Sequence, residues 1–182
     1  MIIRERSFAL RDGRICVLRS PRAADAEALV EYVKTTAGET DFLTKYPDEV
    51  TITPEEERDY LEKIAAAPRQ AMILAEVDGR IAGSCSFHPI GTRDRNRHRC
   101  TVGIALYREF WGLGIGSAMF DLIFQEAARC GFEQAELEVR SRNERAISLY
   151  RRKGFTETGR IPRAAKHRDG SCDDNLYMVK LL

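Results

Sequence analysis

The sequence predicts a mixed α+β fold in which strands and helices interleave in the order β-α-α-β-β-β-α-β-α-β-β. Three observations carry that expectation. Two apolar runs, Ala71 to Val77 and Arg80 to Phe87, flank Asp78-Gly79, a two-residue hairpin signal. Apolar residues recur at helical spacing between Ala118 and Arg129, through Ala118, Met119, Leu122, Ile123 and Ala127. Between a strand at Thr101 to Leu106 and that helix lies Arg108-Glu-Phe-Trp-Gly-Leu-Gly-Ile-Gly-Ser117, with glycines at alternate positions.

Taken in order, Ile15 to Leu18 is a short apolar strand. Ser20-Pro21 reads as N-cap and first helical residue of a helix to about Lys34. Residues 35 to 50 form an irregular stretch, acidic and aromatic. Thr53-Pro54-Glu55-Glu56 is a capping box with proline in the first turn, opening a second helix to about Ala66. After the 71–87 hairpin, the basic run Arg93-Asp-Arg-Asn-Arg-His-Arg99 leads into the 101–106 strand and the glycine turn. Ala135 to Val139 is a strand. Asn143 caps a helix from Glu144 to Lys153, which Gly154 ends as a C′ glycine. Two last strands flank Asp169-Gly170 and finish at Leu182.

A chain of 182 residues, 43% hydrophobic, fits one domain spanning 1–182. The net charge of +1 gives no global field for nucleic acid or membrane and disfavours both as partners. The 93–99 cluster reads either as a solvated loop or as an arm touching an anionic ligand. Five scattered cysteines without Cys-x-x-Cys spacing argue against a zinc site or disulfide framework, so no metal is expected. The N-terminus lacks a signal peptide's apolar core, and no stretch approaches the ~20 apolar residues of a membrane span. The expectation is a cytoplasmic, reduced protein.

The glycine run carries the chemistry. Glycine tolerates φ > 0 and leaves its amides uncovered. A helix starting there aims unpaired N–H groups and the positive end of its dipole at one point, which suits a phosphate or pyrophosphate. The spacing is not a P-loop, because no Lys follows the last glycine. It is not a dinucleotide fingerprint either, because the third glycine would fall at Ser117.

Two stretches resemble the GCN5-related N-acetyltransferase (GNAT) family. Val102-Gly-Ile-Ala-Leu-Tyr-Arg-Glu-Phe-Trp-Gly-Leu-Gly-Ile-Gly-Ser117 is similar to that family's strand followed by its Arg/Gln-x-x-Gly-x-Gly/Ala loop. Leu137-Glu-Val-Arg-Ser-Arg-Asn-Glu-Arg-Ala-Ile-Ser-Leu-Tyr-Arg-Arg-Lys-Gly-Phe155 is similar to its Asn-x-x-Ala-x-x-Leu-Tyr-x-x-x-Gly-Phe signature. The resemblance implies a central, mostly antiparallel twisted sheet of about six to seven strands with about four helices. It implies acetyl transfer from acetyl-CoA, as co-substrate, to a primary amine of a small molecule, peptide or protein N-terminus. A non-catalytic acyl-CoA sensor and an enzyme acting on a nucleic-acid-linked amine are the alternatives. The loop departs from the family at Trp111, where Gln or Arg is usual. Its indole either packs under the loop or lines the CoA channel.

By that resemblance, Gly112, Leu113, Gly114, Ile115, Gly116 and Ser117 supply amides to the CoA pyrophosphate. Ile104, Ala105 and Leu106 pair with pantetheine, and Leu106 N–H polarises the thioester carbonyl. Asn143 contacts the CoA arm as well as capping its helix. Tyr150, two helical turns beyond it, is the acid for the leaving thiolate or an aromatic packing residue. Lys153 and Arg152 reach CoA phosphates or end a solvated helix. The base is not readable; Glu39 and Asp41 are the substrate-loop candidates, with His88 or a water relay beside them. By the same resemblance, residues 35 to 50 and the hairpin near Lys166 to Asp174 select the acceptor; Glu39, Asp41, Asp48 and Glu49 with Phe42 and Tyr46 either suit a cationic amine or make an ordinary surface loop. Homodimerisation through the C-terminal strands is allowed.

Overall fold

The computed structural model describes residues 1–182. Its elements are β1 (Arg6–Ala9), β2 (Ile15–Arg19), α1 (Ala26–Glu39), α2 (Pro54–Ala66), β3 (Ala71–Val77), β4 (Arg80–Pro89), β5 (Arg99–Leu106), α3 (Ile115–Arg129), β6 (Gln134–Arg140), α4 (Glu144–Arg152), β7 (Thr156–Lys166) and β8 (Cys172–Leu181). All eight strands join one sheet in the order β1-β2-β3-β4-β5-β6-β8-β7. Only β5 and β6 run parallel; every other neighbouring pair is antiparallel.

The large core joins α3 and α4 to the sheet, through Met119, Phe120, Ile123, Ile147 and Phe155 against residues such as Ile73, Phe87, Ala135 and Met178. A smaller core joins α1 and α2 to Met72 and Leu74, through Leu29, Tyr32, Leu61 and Ile64. Alternate residues of β3 thus divide between the two cores, as a strand covered on both faces requires. Three of the five cysteines, Cys16, Cys85 and Cys100, are buried and all five are free thiols. No helix is long and apolar enough to cross a membrane.

Several boundaries differ from the sequence expectation. The sheet has an eighth strand, β1, and its four residues are too few to show a period. Ser20 is not a helix cap: its Oγ accepts Ile3 N–H at 2.8 Å. A 3-10 turn at Ala23–Asp25 precedes α1. There Asp25 receives both Arg19 Nη atoms, at 2.7 and 2.8 Å, and the Arg22 N–H at 2.6 Å. Helix α1 also runs five residues past Lys34, to Glu39. Buried Thr36 satisfies its hydroxyl on the Tyr32 carbonyl at 2.8 Å, so it can be buried on the packed face that carries the helix onward. Helix α3 starts at Ile115 rather than Ala118. The capping box at Thr53 and Glu56 forms as expected, with bonds of 2.9 and 3.2 Å.

Candidate active site

The site is organised by the unequal flanks of β5. Against β4 the strand pairs from Cys100↔Pro89 to Leu106↔Gly83. Against β6 it pairs only at Arg99↔Gln134, Cys100↔Ala135 and Thr101↔Glu136, after which the two parallel strands part. Strand alternation fixes which groups face the gap. Arg99 O accepts Ile90 N–H at 3.2 Å and Tyr107 N–H donates to Ala82 O at 3.0 Å, so odd-numbered residues bond toward β4. Ile104 N–H and C=O and Leu106 N–H therefore face the opening. Ala105 is turned the other way: its carbonyl accepts the Tyr32 hydroxyl at 2.7 Å. The expectation that Ala105 offers its backbone with Ile104 and Leu106 is corrected by this alternation.

The glycine turn follows. Gly112 (φ 82°) and Gly114 (φ 96°) lie in the left-handed region. Gly116 serves a different need: a Cβ there would stand 3.2 Å from Leu149 Cδ2 and 3.5 Å from Ile104 Cδ1. Its bare backbone lets the start of α3 meet both β5 and α4. The N–H groups of Gly112, Leu113, Gly114, Ile115, Gly116 and Ser117 have no acceptor in the protein; the first bonded amide is Ala118, to Gly114 O at 3.2 Å. Six consecutive free donors at a helix N-terminus form a ready anion site. Trp111 braces the turn. Its Nε1 donates to Leu106 O at 3.0 Å, and the Arg145 guanidinium stands 4.8 Å from its ring centroid.

Helix α4 supplies the opposite wall. Asn143 Oδ1 accepts Ala146 N–H at 3.2 Å, so the residue caps α4. Gly154 ends the helix in a Schellman motif: its N–H bonds Arg151 O and Phe155 N–H bonds Tyr150 O, both at 3.0 Å. Tyr150 packs edge-on to Phe120, with centroids 5.6 Å apart, and near Phe155 at 5.9 Å. Only 8% of it is exposed. Burial pushes its phenol well above the usual tyrosine range. Lys153 is not brought to the glycine turn. Its ammonium binds both oxygens of Asp121 at 2.7 Å, which ties the C-terminal end of α4 to the middle of α3.

On the other side of β5, Glu39 ends α1 and its Oε2 accepts Arg108 N–H at 2.8 Å, just beyond Leu106. Asp41 is exposed in the following turn. The expected selector segments meet: Arg168, in the β7–β8 turn, binds both oxygens of Asp48 at 2.7 and 2.9 Å. Its guanidinium lies 4.0 Å from the Tyr46 ring centroid, and its N–H donates to Tyr46 Oη at 3.1 Å. Beside it, His167 Nε2 lies 2.8 Å from Asp173 Oδ2, and Arg142 binds the same buried carboxylate. Burial alone would raise the Asp173 pKa, but bonds from His167 and Arg142 hold it below the usual carboxylate range.

Two other candidates fall away from this end. His88 is paired in register with Thr101, where the strands are closed, and sits between Gln70 and Ser86. The 93–99 cluster enters β5 at Arg99, about 23 Å along the strand from Leu106. Sequence reading missed Tyr32, whose helical spacing with Leu29 and Val33 marks it only as core.

Comparison with known proteins bears on the family and the fold. The family model described as Acetyltransferase (GNAT) family matches residues 36–155. The solved structure of a GNAT-family acetyltransferase from Streptococcus pneumoniae is 30% identical, covers 92% of this chain and 99% of that one, and superposes with a TM-score of 0.87. A GNAT superfamily phosphinothricin acetyltransferase from Sinorhizobium meliloti, solved in complex with acetyl-CoA, shares the fold with a TM-score of 0.80 at 21% identity, over 92% of this chain and 88% of that one. The L-methionine sulfoximine/L-methionine sulfone acetyltransferase of Salmonella typhimurium is 26% identical over 91 residues, 50% of this chain and 53% of that protein. The chain spans about half the length of the first curated relatives it matches.

Proposed function

The chain belongs to the GNAT acetyltransferase family, and from that premise we propose that residues 1–182 act as one acetyl-CoA-dependent N-acetyltransferase domain, transferring acetyl directly to a primary amine. The observation that carries this reading is the run of six free amides, Gly112 to Ser117, opening beside the unpaired edge of β5. The amides and the α3 dipole would receive the CoA pyrophosphate. Ile104 offers one backbone donor and one acceptor to pantetheine, as an added strand would use them. Asn143 Nδ2, left free by the cap, is available to the same arm.

Transfer requires charge to develop on the thioester oxygen as the amine attacks. Leu106 N–H is the oriented donor for that oxygen, and a donor of this kind contributes on the order of 3 kcal/mol. Collapse of the adduct expels a thiolate, and the Tyr150 hydroxyl, kept protonated by burial, supplies its proton. The incoming ammonium must lose a proton first. Glu39 stands next to the reacting end of β5 and keeps Oε1 free when Oε2 holds Arg108 N–H, which favours it over exposed Asp41 for guiding the amine. The Tyr46, Asp48 and Arg168 contacts frame the acceptor side.

The test is thiol release from acetyl-CoA against a panel of amino acids, polyamines, aminoglycosides and N-terminal peptides. Turnover on one class identifies the acceptor. Tight acetyl-CoA binding with no turnover on any amine would replace this reading with a non-catalytic acyl-CoA sensor.

A further inference from the structure

We propose that Tyr32 is a positioning residue for acetyl transfer, aiming the Leu106 N–H by holding the carbonyl of the same peptide group. This rests on the reading of Leu106 as the donor to the thioester oxygen. The Ala105 C=O and the Leu106 N–H belong to one planar trans peptide, so they point in opposite directions and turn together. The Tyr32 hydroxyl donates to the Ala105 oxygen at 2.7 Å. It also accepts Ser84 N–H at 3.1 Å, so it bridges both members of the Ser84↔Ala105 register pair. A bond on the β4 side thereby sets the angle at which Leu106 N–H enters the gap on the β6 side. A hydrogen bond to the carbonyl also polarises its peptide and makes the opposite N–H a better donor.

Two further contacts make this arrangement stiff. Tyr32 is 2% exposed and packs edge-on against Tyr107 with centroids 5.1 Å apart, so its ring has one seat. Gly83 leaves the peptide its room: a Cβ there would lie 2.7 Å from Ala105 O and 3.1 Å from Leu106 Cα. One residue thus holds the peptide and another vacates the space it occupies.

The experiment is infrared spectroscopy of carbonyl-labelled acetyl-CoA bound to the wild-type chain, to Tyr32→Phe and to Gly83→Ala, with kcat and KM measured beside it. Phenylalanine keeps the ring and its packing. The expected result is a lowered thioester carbonyl frequency in the wild type that returns toward the free value in both variants. With it, kcat falls about tenfold or more while KM for acetyl-CoA changes less than about threefold. A purely structural role for Tyr32 would lower Tm and leave the bound carbonyl frequency unchanged, and that outcome overturns the proposal. No frequency shift in the wild type itself would instead remove Leu106 as the donor, and the proposal with it. Should Tyr32→Phe not fold, 3-fluorotyrosine placed at position 32 alters the strength of the same hydroxyl bond while keeping the ring, and an unchanged bound carbonyl frequency in that protein overturns the proposal.

Discussion

The two sides of β5 are built from different materials. On the gap side, the groups free for the proposed co-substrate are mostly backbone: Leu106, Ile104 and the run from Gly112 to Ser117, with Asn143 and Tyr150 the side chains beside them. On the side proposed to receive the acceptor, the surface is made of side chains brought from distant segments: Glu39 on Arg108 N–H, and Arg168 on Tyr46 and Asp48. Backbone geometry is set by a few glycines and strand alternation and tolerates many neighbouring side chains. Side-chain contacts can be exchanged singly without moving a strand. A half made of backbone suits a constant co-substrate, and a half made of side chains suits an acceptor that differs between related proteins.

Mutations can break or sharpen that contrast. The largest effect is expected from Tyr150→Phe, which removes the hydroxyl proposed to protonate the leaving thiolate. Its kcat should fall about 100-fold or more with acetyl-CoA affinity retained, as stopped-time thiol assays beside calorimetry would report. The wild-type pH profile checks the same residue. A raised phenol pKa keeps the acid protonated to higher pH, so kcat/KM should climb as the acceptor amine deprotonates. It should show no descending limb below about pH 10.

Gly114→Val comes next. A β-branched residue at φ 96° costs about 1–3 kcal/mol of backbone strain, so acetyl-CoA affinity should weaken about 10- to 100-fold by calorimetry. Asn143→Ala removes the α4 cap, worth about 1 kcal/mol, and should lower Tm by about 2–4 °C. Arg168→Ala should be the mildest for stability, with Tm nearly unchanged, because both ends of its pair with Asp48 are well exposed. Its expected signature is a change in acceptor KM or selectivity at constant acetyl-CoA KM. A change in acetyl-CoA affinity instead would erase the distinction between the halves.

The same division explains what the sequence made legible. The glycine turn, the Asn143 cap, the Gly154 stop and the Asp78-Gly79 hairpin are local devices, each complete within a few residues, and all four are where the residues predict them. The extension of α1 through Gly38 was not legible, because threonines and glycine lower helix propensity and only the tertiary contacts of Thr36 and Ala37 override it. The Arg168–Asp48 pair spans 120 residues of chain, so no motif announces it. Tyr32 hides for another reason: a core tyrosine at helical spacing looks like packing until its hydroxyl is seen on Ala105 O. Lys153 is the converse case, a cation read either as reaching CoA phosphates or as ending a solvated helix, and Asp121 engages it.

The most direct test of the account is an amide NMR titration of the isotope-labelled chain with acetyl-CoA. The amides of Gly112 to Ser117 and of Leu106 should move most and gain protection from exchange, while Arg168 and its neighbours stay nearly still until an acceptor is added. Saturable binding that leaves the 112–117 amides unmoved would contradict it.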